Sequence, residues 1–132
     1  MFRRLYTTAV KDTKFLQPLK FEDSLYATLK IHNRSYLVTK GDIVNLPFCL
    51  HTANVGDSLK FTKIDTIGSR NYTYNINDGI DNDLVSVSAT VIEKTKIPMT
   101  IKEVTKRRNR HTKHIHSKHD ITVLRVDDVK IL

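Results

Sequence analysis

The sequence predicts an all-β fold, a small antiparallel barrel or sandwich, on three observations. Val, Ile and Thr together number 38 against four Ala, and β-branched side chains pack well on a pleated sheet while losing rotamer freedom in helices. Several segments alternate apolar and polar residues with a period of two, as half-buried strands do. Turn residues recur at intervals of roughly eight to twelve residues, the rhythm of short strands joined by hairpins. A chain of 132 residues has the length of one domain with a single modest core.

The elements follow in order. Residues 1–24 stand apart as an N-terminal extension, with Arg3 and Arg4 and no acid before Asp12. That composition fits either an organelle-targeting leader or a plain arm. From Leu25 the chain alternates, with Leu25, Ala27, Leu29 and Ile31 on one face, which predicts a first strand. A turn at Asn33-Arg34 leads into Ser35–Thr39, and Lys40-Gly41-Asp42 turns the chain into Ile43–Leu46. Pro47 stops that strand, Asn54–Asp57 opens Ser58–Ile64, and Gly68–Asn71 leads into Tyr72–Tyr74. After a loop over Asn75–Asp83, Leu84–Glu93 alternates most clearly, with Val85, Val87, Ala89 and Val91 inward. Pro98 interrupts Lys96–Thr105 and predicts an edge or a bulge there, since proline cannot donate to a ladder. The last strand is Ile121–Ile131. In all, six or seven strands are expected.

Charge is concentrated in one place. Lys106–His119 holds six Lys or Arg and four His in fourteen residues, with no acid and no aromatic. Widened to Lys94–His119, the segment has nine Lys or Arg against Glu103 alone, which accounts for the whole formal charge of +8. Such a focused field selects a place as well as a sign and predicts a polyanion site, a long basic loop at about 94–119 that clamps phosphates. Lys102, Lys106, Arg107, Arg108, Arg110, Lys113 and Lys118 supply the cations, and His111, His114, His116 and His119 supply hydrogen bonds to phosphate or ribose. No Phe, Tyr or Trp falls between Lys102 and His119, which disfavours single-strand stacking and favours folded, helical RNA. Repulsion among the cations is expected to keep the free loop mobile until RNA orders it.

Other chemistries find little support. The four imidazoles have only Asp120 as an adjacent carboxylate and no nearby Cys, a poor ligand set for a transition metal. Asp78, Asp81 and Asp83 lack the terminal Glu and regular spacing of a calcium loop and read as a polar turn. Four glycines form no phosphate loop, and no nucleophile motif is present, so no catalytic residue and no cofactor or small-molecule substrate is expected. Cys49 stands alone, which rules out an internal disulfide. No run of eighteen apolar residues occurs, so no membrane-spanning helix is expected.

Leu25–Leu132 resembles the bacterial-type large ribosomal subunit protein 21 family in a mitochondrial version. Tyr26-Ala-Thr-Leu and Val38-Thr-Lys-Gly41-Asp42-Ile-Val44 look like the family's opening strands. Asn54-Val-Gly56-Asp57 is similar to its glycine-centred turn, Leu84–Ile92 occupies the place of its Val-rich strand, and Lys106–Lys113 looks like its Arg-rich loop. The family's Gly-His-Arg triplet is replaced by Ser117-Lys118-His119, and Thr112 stands where an aromatic is common. Loss of that glycine removes easy access to positive φ and predicts a different path for the loop there. The resemblance implies a six-stranded, partly open barrel at residues 25–132. It also implies a non-catalytic role in the mitochondrial matrix and binding to large-subunit rRNA and neighbouring proteins, large-subunit protein 20 among them. The alternative function is a free-standing RNA- or DNA-binding β-barrel factor.

Overall fold

The computed structural model describes residues 13–76 and 78–132. The Arg3-Arg4 start lies outside them. Ten strands form, with no α-helix among the described residues: β1 (Tyr26–Ile31), β2 (Arg34–Thr39), β3 (Ile43–Leu46), β4 (Ser58–Phe61), β5 (Ile64–Gly68), β6 (Thr73–Asn75), β7 (Val85–Lys96), β8 (Thr100–Thr105), β9 (Thr112–Ser117) and β10 (Asp120–Ile131). They pair antiparallel in three sheets, ordered β2-β1-β5-β6, β3-β10-β7-β4 and β8-β9. The all-β expectation therefore holds, while the ladders of the described residues form separate sheets and close no barrel.

Two features raise the strand number above six or seven. The segment expected as one strand over Ser58–Ile64 bends at Thr62-Lys63, where the Lys63 carbonyl accepts from the Lys30 amide at 3.0 Å. There the chain passes from one four-stranded sheet to the other. The second feature is the basic segment, which forms β8 and β9.

The two larger sheets meet in one core. Ala27, Leu29, Val38, Ile64 and Ile67 from the first pack with Val85, Val87, Val126 and Val129 from the second. Leu46, Ala53, Ala89, Val91 and Leu124 form an adjoining cluster. The inward set predicted for Leu84–Glu93 is buried as expected. Part of the N-terminal extension contributes too. In the two single-turn 3₁₀ segments Thr13–Leu16 and Pro18–Phe21, Leu16 and Leu19 are each 1% exposed and belong to the main core. Leu19→Ala is expected to lower stability by about 2–5 kcal/mol, the usual cost of truncating a buried Leu, measurable by denaturant unfolding.

Local chemistry sets the turns. The β1–β2 turn falls at His32-Asn33, one residue earlier than expected, because both residues have positive φ (45° and 62°), which a two-residue type I′ hairpin requires at its centre. At the β2–β3 turn Gly41 has φ 89°. The Asp42 carboxylate accepts from the Thr39 amide at 2.7 Å and the Thr39 hydroxyl at 2.8 Å. These bonds hold the Asp42 carboxyl below its ordinary range. The expected turn at Gly68–Asn71 starts later, since Gly68 closes β5. Its absent Cβ leaves space for the Tyr26 ring, whose hydroxyl bonds Thr73 at 2.8 Å.

Buried Thr122 secures the long connection after β3. Its hydroxyl donates to the Phe48 carbonyl at 2.8 Å and accepts from the Leu50 amide at 3.1 Å. Thr122→Val keeps the shape and leaves both backbone groups without that partner. It is expected to cost about 1–3 kcal/mol, detectable as a lower unfolding temperature together with faster amide exchange at Leu50.

Candidate nucleic-acid interface

β7 and β10 are twelve-residue strands paired from Ile131↔Val85 outward to Asp120↔Lys96. Beyond that last rung the Ile97 amide donates to the His119 carbonyl at 3.0 Å, and Lys96 pairs with Asp120 at 3.3 Å. The next rung is Thr100↔Ser117, the first of β8–β9. Pro98 and Met99 thus lie opposite Lys118 alone, the two-against-one arrangement of a β-bulge. Proline, which lacks an amide hydrogen, sits where no ladder bond is needed. The basic segment is accordingly an outward prolongation of the body's longest strand pair.

This corrects the expectation of a long irregular loop at about 94–119. Thr100, Ile101, Val104, Thr105, Thr112 and Ile115 make half of the twelve positions of β8 and β9 β-branched. That propensity, with continuous pairing from Thr100↔Ser117 to Thr105↔Thr112, outweighs the repulsion expected to keep the segment open. Six residues at about 3.3 Å each carry the stem roughly 20 Å. At its tip the Asn109 amide donates to the Lys106 carbonyl at 3.1 Å, and the His111 amide to Asn109 Oδ1 at 3.1 Å. Arg108 takes φ 63°, a left-handed conformation that costs a non-glycine residue about 1–2 kcal/mol. The turn so closed presents Lys106, Arg107, Arg108 and Arg110, all exposed.

Register assigns the remaining candidates. Because facing residues of an antiparallel pair share a side, Lys102, Val104, Lys113 and Ile115 lie on one face, and Ile101, Glu103, His114 and His116 on the other. Lys118 and His119 lie at the bulged junction, and His111 closes the tip. The four imidazoles are therefore spread along the finger instead of converging. Among the described residues no group of three or more His, Cys, Asp or Glu could hold a metal ion. Two cations of the wider segment are engaged by the body: Lys96 with Asp120, and Lys94 with the Ala53 carbonyl.

Sequence reasoning passed over the finger's apolar residues. Met99, Ile101, Val104 and Ile115 are all exposed, so the finger offers hydrophobic contacts beside its charge. Their recurrence on both sides of the cationic tip was the available signal. A cleft lies toward the opposite end of β10, lined by Tyr26, Lys40, Arg70, Asp128 and Lys130 among others. Its signs are mixed. Asp128 there bonds Lys130 and lies 3.4 Å from Lys40, and its carboxyl is held below the ordinary range chiefly by Lys130. No described helix is long and apolar enough to cross a membrane.

The fold and the site together define a class, an antiparallel β-sheet protein that carries its excess positive charge on one projecting hairpin. The particular assignment is closer. The family model described as ribosomal prokaryotic L21 protein matches residues 25–129, and the chain belongs to that family. It is a family of ribosomal proteins, not of enzymes. The chain is 38% identical over 118 residues to the large ribosomal subunit protein bL21m of Neurospora crassa, covering 89% of this chain and 54% of that protein. It is 32% identical over 131 residues to an aconitase-ribosomal protein bL21m fusion protein of Schizosaccharomyces pombe, covering 99% of this chain and 14% of that protein. The chain thus spans about half of one relative and a small part of the other.

Proposed function

We propose that this chain is a structural constituent of the mitochondrial large ribosomal subunit, in which the β8–β9 finger binds large-subunit rRNA and supports subunit assembly. The observation that carries the reading is the finger itself: six Lys or Arg against Glu103 between Thr100 and Ser117, held on a hydrogen-bonded stem clear of the body. Family membership and the two bL21m-named relatives support the ribosomal and mitochondrial assignments.

In this account the body is an anchor and the finger a spacer between RNA segments. Lys102, Lys106, Arg107, Arg108, Arg110, Lys113 and Lys118 face the RNA and between them neutralise about five or six phosphates, with arginine favoured where bidentate geometry is available. His111, His114, His116 and His119 hydrogen-bond phosphate or ribose. A stem already paired loses less conformational freedom on binding than a loop would, at roughly 1–2 kcal/mol per residue ordered. Neighbouring large-subunit proteins, protein 20 among them, complete the surroundings of a domain over residues 25–132, with 1–24 as its arm. The two facing sheets then serve as the family's partly open barrel.

Two measurements test this. Sedimented through a gradient in moderate salt, the protein should travel with large subunits, whereas a free-standing RNA- or DNA-binding factor would stay near the top. For purified protein and rRNA, neutralising five or six phosphates should give a slope of about −5 in log affinity against log salt, from about −0.9 per phosphate. A flat salt response would remove the phosphate-clamp reading.

A further inference from the structure

Glu103 is the only acid between Lys94 and His119, and its place in the ladder is informative. It pairs with His114 on β9, flanked on the same face by Ile101↔His116 and Thr105↔Thr112. That face carries no Lys or Arg. Both stem cations, Lys102 and Lys113, project from the opposite face, where they pair with Ile115 and Val104. Successive strand residues point to opposite sides, so the carboxylate of Glu103 and the ammonium of Lys102 are directed apart although adjacent in sequence. The finger thus has a cationic tip, one cationic face, and one face whose only formal charge is negative.

We propose that Glu103 is a specificity determinant that fixes the orientation in which the finger enters RNA, by excluding ribose-phosphate backbone from the Ile101–His116 face. This deepens the rRNA-binding reading and rests on it. With a cation at 103 the stem would attract phosphate on both faces, and a two-stranded ribbon could then dock either way round. A single carboxylate removes the flipped pose through repulsion, at the expense of some total attraction. Discrimination between partners commonly needs such a repulsive element as well as attractive ones. Directed away from phosphates, the carboxylate accepts hydrogen bonds from exocyclic amino groups of base edges, as acidic side chains do from cytosine N4. Imidazole and threonine hydroxyl groups beside it both donate and accept.

The test uses the full chain, its Glu103→Gln and Glu103→Lys variants, transcribed large-subunit rRNA and an unrelated RNA duplex of equal length, each titrated across a salt series. Glu103→Lys is expected to bind the unrelated duplex about tenfold more tightly, with a salt slope steeper by about 0.9, one extra phosphate. Its preference for rRNA over the duplex should fall by about tenfold, and Glu103→Gln should give an intermediate loss. Circular dichroism confirms that each variant keeps its strands. Unchanged discrimination in both variants, with the wild-type slope near −5, overturns the role of Glu103 and leaves the rRNA reading standing. A flat wild-type slope overturns that reading instead.

Discussion

Replacing Arg107, Arg108 and Arg110 together with alanine is expected to weaken rRNA association on the order of 100-fold at moderate salt, from roughly 1 kcal/mol per charge-assisted contact. The salt slope should become shallower by about 2.7, three phosphates at about 0.9 each. All three residues are exposed at or beside the turn that closes the finger. None belongs to either buried cluster. Thermal unfolding of the body should therefore stay nearly unchanged, while large subunits assembled with the variant accumulate more slowly. Equal loss of stability and binding would contradict the separation of anchor from finger. Arg108→Gly alone is expected to be slightly stabilising, since glycine takes this left-handed backbone without strain.

The converse is expected of Val87→Asp. Val87 is fully buried near the start of β7, paired with Phe61 on one side and Val129 on the other. An aspartate there puts a carboxylate among Val, Leu and Ile side chains without a partner, at a cost on the order of 5 kcal/mol. Domains of this size are stable by only about 5–15 kcal/mol, so most of that margin disappears. Loss of the cooperative unfolding transition, or a midpoint lowered by many degrees, is the expected readout. A variant that unfolds as the wild type does would show that β7 is not the spine of the core. RNA affinity should fall with folding in this variant, whereas the arginine variant loses affinity alone.

Much of this arrangement was legible in the residues, and the misses have physical reasons. Strands β1 and β7 declare themselves through the alternation of Leu25–Ile31 and Val85–Val91, because one face of each is buried and the other is not. The turn at Gly41 and the bulge at Pro98 follow from what glycine permits and proline forbids. Pairing order is non-local, and no spacing in the chain announces that β3 lies beside β10 while β2 lies beside β1. The run after Lys106 was read as a loop because its charge is conspicuous while its strand propensity, in Thr112 and Ile115, is dispersed among lysines and histidines. Leu16 and Leu19 were overlooked because single 3₁₀ turns are too short to establish a period. As for the candidate site, the sequence gathers the cations within one segment. It could not divide them between two faces, since that division depends on the register of β8 against β9.

The position of the finger in an assembled particle decides most directly whether it binds rRNA. Ultraviolet crosslinking of intact mitochondrial large subunits, followed by mass spectrometry of this chain's peptides, reads that position. Crosslinks to rRNA concentrated in Lys102–His119, with few on β1 to β6, are the predicted result. A finger free of RNA crosslinks while the body carries them would contradict it.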